Sequence, residues 1–223
     1  GPVALIQGFN PKMGWEDLAE AAYTLANPDV LWIATNTDQT IPKERGQAPG
    51  NGTLVAAVAT ASRRTPLVAG KPEAPIFHTA AKAVNSSRPV IVGDRLDTDI
   101  LGANNAKMDG ALVLTGVQTY QDVIEAVPNQ RPTYILRTLE DFFAPYPEIE
   151  VLYEGYEVTA TGPTWQARVR GENLSLTGPE VEDAEAFAGS ESEAEAWRVA
   201  CAAWWAANPE QAARPNIQGI PGA

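Results

Sequence analysis

The sequence predicts an α/β fold built on a doubly wound parallel sheet, with a small α+β unit appended. Three observations carry that expectation. Short apolar runs, at 30–34, 67–69, 90–92, 111–114 and 134–136, alternate with stretches of helical spacing, and strands alternating with helices imply parallel βαβ units. The run Val90-Ile91-Val92 closes on Gly93 and Asp94, as a buried strand does at a tight turn. After Pro145-Tyr146-Pro147 the pattern changes to a two-residue alternation of apolar and polar side chains, the mark of an antiparallel sheet with one wet face.

In chain order, residues 3–6 read as a strand and Gly8 to Pro11 as a turn. Trp15, Leu18, Ala19, Ala22 and Leu25 recur at helical spacing until Asn27-Pro28 stops the helix. The strand 30–34 ends in Thr35-Asn36-Thr37-Asp38, and a loop rich in Gly and Pro runs to Gly52. Thr53 is expected to cap a helix that turns Leu54, Ala57, Val58 and Ala61 inward. The strand 67–69 ends in Gly70-Lys71-Pro72, and Pro75 suits the start of a helix with Ile76, Phe77, Ala80 and Val84 on its apolar face. After the strand at Val90 comes a helix through Ile100 and Leu101, then strand 111–114, helix 121–127, strand 134–136 and a short helix at 139–143.

Residues 148–161 alternate around Gly155, Gly162-Pro163 turns the chain, and Trp165, Ala167 and Val169 alternate with Gln166, Arg168 and Arg170. This predicts an antiparallel hairpin or meander. Ser190 and Glu193 fit a capping box ahead of a helix with Ala194, Trp197, Cys201 and Trp204 on one stripe. The acidic stretch 180–195 reads as a solvated face, and the Pro- and Gly-rich end from Asn208 reads as frayed.

The 223 residues suffice for one large domain or two modest ones. A net charge of −12 argues against nucleic acid or an anionic membrane surface as the main partner. A single cysteine, Cys201, leaves no internal disulfide and no CxxC metal cluster. No apolar run is long enough to span a bilayer and no signal-peptide pattern is present, so the cytoplasm is the expected compartment.

The residues suited to chemistry follow two strands. In an open α/β sheet, ligands sit outside the carboxyl ends of the strands. Asp94 stands at such an end, with Asp97 and Asp99 close behind. Its carboxylate is a hard oxygen donor, suited to Mg²⁺ holding a phosphate. Asp99, on the first turn of the next helix, can support it. The same segment also reads as an ordinary helix N-cap. Lys71 ends the preceding strand; on a shared rim it would neutralise phosphate charge and restrain a carboxylate nucleophile.

These motifs carry a resemblance. Gly70-Lys71-Pro72-x-x-Pro75-x-Phe77, followed by Val92-Gly93-Asp94-Arg95-Leu96-x-Thr98-Asp99-Ile100-x-Gly102, resembles the third and fourth motifs of the haloacid dehalogenase (HAD) superfamily. The nearest pattern is its NagD-like branch of sugar-phosphate and phosphoglycolate phosphatases. Ala34-Thr35-Asn36-x-Asp38 and the helix after Gly50-x-Gly52-Thr53 resemble the second half of that branch's α/β, C2-type cap. Leu114-Thr115-Gly116-Val117 resembles its next core strand and loop. The C-terminal unit is similar to that of actinobacterial glycerol-3-phosphate phosphatases.

The resemblance implies residues 1–66 as half of a cap, 67–143 as half of a HAD-like core and 144–223 as a separate module. It implies a Mg²⁺-dependent phosphatase of small phosphorylated metabolites, acting through an aspartyl-phosphate. Asp94 would be a metal ligand, Lys71 and Asp99 catalytic, and Thr35, Asn36, Asp38 and Arg95 substrate-binding. It also implies pairing into a homodimer. One departure stands out: the family's Asp-x-Asp-Gly strand, which carries the nucleophile, is absent. The sequence holds a single Asp-x-Asp, Asp97-Thr98-Asp99, which is followed by Ile100. The chain therefore reads as lacking the first third of such an enzyme, and the nucleophile is expected from a missing N-terminal segment.

Two other readings remain. A degenerate HAD-like domain could serve as a non-catalytic binding or assembly module through its tryptophan-bearing end. A receiver-like signalling domain is disfavoured, because receivers carry their acidic residues before the lysine. His78, the single histidine, reads as packed or solvated; Cys201, Trp197, Trp204 and Trp205 read as core, and Arg63-Arg64 is too short for a nucleic-acid patch.

Overall fold

A computed structural model describes residues 1–220. The chain divides into two compact units: residues 1–89 with 97–108, and residues 90–96 with 109 onward.

The first unit contains β1 (Ala4–Gln7), α1 (Trp15–Thr24), β2 (Leu31–Ala34), β3 (Thr40–Lys43), β4 (Gly46–Pro49), α2 (Asn51–Ser62), β5 (Leu67–Val68), α3 (Ala74–Ala83) and α4 (Leu101–Ala106). Strands β1, β2 and β5 form a parallel sheet in that order. Alternation assigns the two faces. Trp32 and Ala34 are buried with Leu25, Val30, Val55 and Val58. Ile6, Leu31 and Leu67 lie 68, 50 and 58 % exposed.

The expected loop before Gly52 contains a β3–β4 hairpin in the register Thr40↔Pro49 and Lys43↔Gly46. Pro42 and Pro49 hide it from sequence rules that reserve proline for loops, yet a two-stranded ribbon has edges where a missing N–H costs nothing. Helix α2 starts three residues earlier than expected. Gly50 is its N-cap, and Thr53 bonds Gln39 O through its hydroxyl (2.7 Å) instead of capping.

The second unit holds β6 (Val90–Gly93), β7 (Asp109–Val113), α5 (Tyr120–Ile124) and β8 (Tyr134–Leu136), then β9 (Glu150–Glu154), β10 (Glu157–Thr161), β11 (Gln166–Arg170), β12 (Asn173–Thr177), α6 (Ala184–Phe187), α7 (Glu191–Ala207) and β13 (Asn216–Gln218). Strands β6, β7 and β8 form a second parallel sheet. Strand β5, expected beside β6 in the core sheet, pairs instead with β2, while β6 pairs with β7. Helix α5 is shorter than expected, and Pro128 opens a separate 3₁₀ turn, because the residue before proline avoids helical backbone.

Strands β9 to β12 form the expected antiparallel meander, and β13 adds to β12 in parallel. Helix α7 covers it with Ala194, Trp197, Cys201 and Trp204, all buried. Ser190 caps this helix by accepting from Glu193 N (3.1 Å), while the Glu193 carboxylate takes Gly189 N (2.6 Å), one residue outside the capping box. The acidic stretch is not wholly solvated. Glu195 is 7 % exposed and accepts from Thr164 N (2.6 Å), Trp165 N (2.9 Å) and the Thr164 hydroxyl (2.8 Å).

From Asn208 to Ile220 the tail is ordered rather than frayed; residues 221–223 lie outside the described residues. Arg131 donates to the carbonyls of Asn208 (2.8 Å) and Gln211 (2.9 Å), and β13 follows. Sequence style sets the module apart; packing does not. Arg198 Nε bonds Ile135 O on β8 (2.9 Å), and Tyr120 stacks on Trp197 with centroids 5.4 Å apart.

Candidate active site

In the first unit the three parallel strands end together. Gln7 closes β1, Thr35 to Asp38 follow β2, and Ala69 to Lys71 follow β5. Thr35 N bonds Gln7 O and Ala69 N bonds Ala34 O, both at 2.9 Å. Glycine is required where these tips meet: a Cβ at Gly70 would collide with Thr35 O. Thr37 N reaches Lys71 O (3.4 Å).

On its other side the Thr35–Asp38 turn is gripped by the start of α2. Gly52 N bonds Asp38 O (2.8 Å), Gly50 N bonds Gln39 O (2.8 Å) and Asn51 Nδ2 bonds Asn36 O (2.8 Å). The Asn36 side chain accepts from Asp38 N (3.3 Å), closing an Asx turn. Thr35 is exposed; Asn36 and Asp38 are half-buried.

Lys71 Nζ lies 2.9 Å from Asp99 Oδ1 and 3.8 Å from Asp38 Oδ2. Its side chain keeps 34 % exposure, whereas that of Asp99 keeps 8 %. Asp99 sits on one π-helical turn, Leu96–Ile100, that leads into α4, a local geometry common at functional sites. Nearby, Asn105 Nδ2 holds Pro72 O (2.9 Å), and Gly102 leaves room for the Phe77 ring. The structure thus brings together Lys71, Asp99, Asp38 and Asn36.

In the second unit Asp94 follows β6, half-buried, with Arg95 next in the chain. A Cβ at Gly116, just past β7, would collide with Asp94 Oδ2. The Leu114-Thr115-Gly116 turn therefore cradles the carboxylate against bare backbone. The expectation that Lys71 and Asp94 ride adjacent strands of one sheet is not met, since β5 and β6 belong to different sheets. His78 is exposed and Cys201 is buried, its thiol pushed far up by burial.

Two polar residues at the strand tips escape the sequence reading. Among the described residues Asn51, 1 % exposed, has no partner for Oδ1, and Gln7, 5 % exposed, has none for Oε1 or Nε2. The signal for Asn51 was its place between Gly50 and Gly52; Gln7 breaks an otherwise apolar strand.

Residues 68–142 match the HAD-hydrolase-like family. The chain carries the HAD-like fold. The HAD-like chain is 43 % identical over 188 residues to the D-glycerol 3-phosphate phosphatase of Mycobacterium tuberculosis, covering 82 % of this chain and 50 % of that protein. It is 43 % identical over 124 residues to the glycerol-3-phosphate phosphatase of Gallus gallus, covering 54 % of this chain and 40 % of that one. The crystal structure of a glycerol phosphate phosphatase from Mycobacterium tuberculosis in complex with magnesium superposes with a TM-score of 0.76 at 34 % identity, covering 97 % of this chain and 59 % of the other. The 4-nitrophenylphosphatase of Thermotoga maritima gives 0.57 at 29 % identity over 64 % of this chain and 54 % of its own. The chain spans about half the length of the M. tuberculosis relative and less of the avian one.

The donor chemistry fits a hard cation. Among the described residues no three His, Cys, Asp or Glu side chains gather into a metal-holding group. Mg²⁺ does not need one: it is commonly held by one or two carboxylates plus waters and phosphate oxygens. Asp94, cradled by Gly116, can supply one such carboxylate. Among the described residues no helix is long and apolar enough to cross a membrane.

Proposed function

We propose that this chain is part of a Mg²⁺-dependent phosphatase of small phosphorylated metabolites, such as glycerol 3-phosphate, phosphoglycolate or a sugar phosphate. Residues 1–66 serve as half of the cap, 67–143 as half of the core, and 144–223 as an accessory module. The observation that carries the reading is the Lys71–Asp99 bond at the tip of β5, 2.9 Å long.

Asp99 fixes the Lys71 ammonium, which is then pre-oriented toward a phosphoryl group and needs no reorganisation as negative charge develops. Asp94 would hold the Mg²⁺. The ion, when bound, neutralises phosphoryl charge and orients the substrate. An aspartate outside this sequence attacks phosphorus, forming one O–P bond as the bond to the leaving oxygen breaks. That oxygen takes up a proton, and water then hydrolyses the aspartyl-phosphate. Thr35, Asn36 and Asp38 in the first unit, and Arg95 in the second, are assigned to substrate binding.

The partners of the reading are a missing N-terminal segment and a second copy of the chain; its compartment is the cytoplasm. Similarity to named phosphatases on both sequence and structure supports it. The test is phosphate release by the chain supplied with its N-terminal complement. Release should need Mg²⁺, stop with a chelator, and fall at least about a hundredfold in Asp94→Asn and Lys71→Ala, the scale for losing a positioned electrostatic group. Release that survives chelation and both substitutions would refute the assignment.

A further inference from the structure

Three successive carbonyls of the turn that carries Lys71 are each held by a donor. Gly70 O accepts from Glu73 N (2.9 Å) and Lys71 O from Thr37 N (3.4 Å). Pro72 O accepts from Asn105 Nδ2 (2.9 Å). The first two donors are backbone amides, which almost any residue supplies. The third is a side chain, so there the choice of residue decides whether the turn is held.

Asn105 lies on α4, a few residues beyond Asp99. One segment therefore grips Lys71 twice. Asp99 takes the ammonium (2.9 Å), and Asn105 takes the backbone at the foot of the side chain. The proline ring fixes φ at residue 72, so few torsions separate the held carbonyl from the Lys71 Cα. The approach is close: a Cβ at Gly102 would stand 2.4 Å from the Phe77 ring and 3.4 Å from Pro72 O. An ammonium on a four-carbon stem is flexible. Fixing its foot as well as its head removes freedom that a binding phosphoryl group would otherwise have to take out.

From this double grip we infer that Asn105 is a positioning residue: acting through Pro72, it aims the Lys71 ammonium, and without its amide the Lys71–Asp99 pair loosens. The inference deepens the phosphatase reading and rests on it for what the ammonium is aimed at.

Trace acetylation of the full chain with acetic anhydride, read lysine by lysine by mass spectrometry, tests the grip without any turnover. The variants are Asn105→Ala and Asn105→Leu, the second keeping the volume without a donor. In both, Lys71 should react about threefold faster or more relative to Lys12, Lys43 and Lys82, the scale of one neutral hydrogen bond. The urea midpoint should stay near that of the parent, because Asn105 is exposed and both replacements are better helix formers. In the completed enzyme both variants should lower kcat about threefold or more, by a larger factor than KM rises. A Lys71 rate unmoved in both variants, a rise shared by all the lysines, or an unchanged kcat would overturn the inference. Phosphate release with Lys71 reactivity unmoved leaves the phosphatase standing and removes the role of Asn105. A rise confined to Lys71, with no phosphate release by the completed parent, keeps the grip and removes the phosphatase reading.

Discussion

Individual side chains decide what each unit can do. Gly116 is one example: its missing Cβ is the space that the Asp94 carboxylate occupies. We expect Gly116→Ala to leave the sheet folded but displace Asp94, lowering the Mg²⁺ affinity of the completed enzyme by about tenfold or more, the range for disturbing the surroundings of a metal ligand; a metal titration at fixed substrate reads this. Glu195 is a second. It accepts three hydrogen bonds from Thr164 and Trp165, so Glu195→Ala strands buried donors and should destabilise the chain by about 3 kcal/mol, the upper range for unsatisfied groups, measured as a shift in the urea midpoint. Asp141 is a third. Burial raises its carboxyl, but the hydrogen bonds and charge of Arg137, with Arg198 behind, outweigh burial and hold it below the ordinary value. A depressed folded pKa stabilises above the unfolded value of about 3.9 and is lost as pH falls through the folded one. Acid unfolding followed by tryptophan fluorescence should therefore begin at higher pH in Asp141→Asn than in the parent chain.

The elements were legible where their signal was local. Strands 90–93 and 134–136 and the Trp197–Trp204 stripe stood out because periodicity and β-branched runs report directly on burial. The β3–β4 hairpin did not, because Pro42 and Pro49 look like loop residues until a two-stranded ribbon gives them an edge. The order of the tail came from far away: Arg131 reaches five backbone carbonyls at 126, 205, 208, 209 and 211, and nothing within the Pro- and Gly-rich tail announces that clamp. Arg131→Ala should release the tail while β9 to β12 persist. Hydrogen exchange would then show fast amides after Asn208 and unchanged protection in the meander; equal protection in both proteins would contradict the clamp.

At the scale of the whole molecule, the motif order and the change to an antiparallel meander after residue 147 were readable, while the sheet arrangement was not. Pairing is a long-range property, and two short strands with similar composition do not reveal which neighbour each will take. The two parallel sheets are short, and the exposed face carrying Ile6, Leu31 and Leu67 is apolar, the kind of surface that marks an interaction site. Candidate residues were legible wherever a motif named them, as with Lys71, Asp94 and Asp99. Asn51 was not, because its importance lies in one amide bond to Asn36 O formed only after α2 docks on the strand tips.

The account stands or falls on whether these strand tips serve phosphoryl transfer once an attacking aspartate is supplied. Co-expression with a segment bearing an apolar strand that ends in Asp-x-Asp-Gly, followed by a free-phosphate assay on glycerol 3-phosphate with Mg²⁺, measures this most directly. The account predicts phosphate release by the co-purified pair, no release by this chain alone, and loss of release when the first aspartate of the added segment becomes Asn. A stable, well-folded pair that binds Mg²⁺ yet frees no phosphate would contradict it.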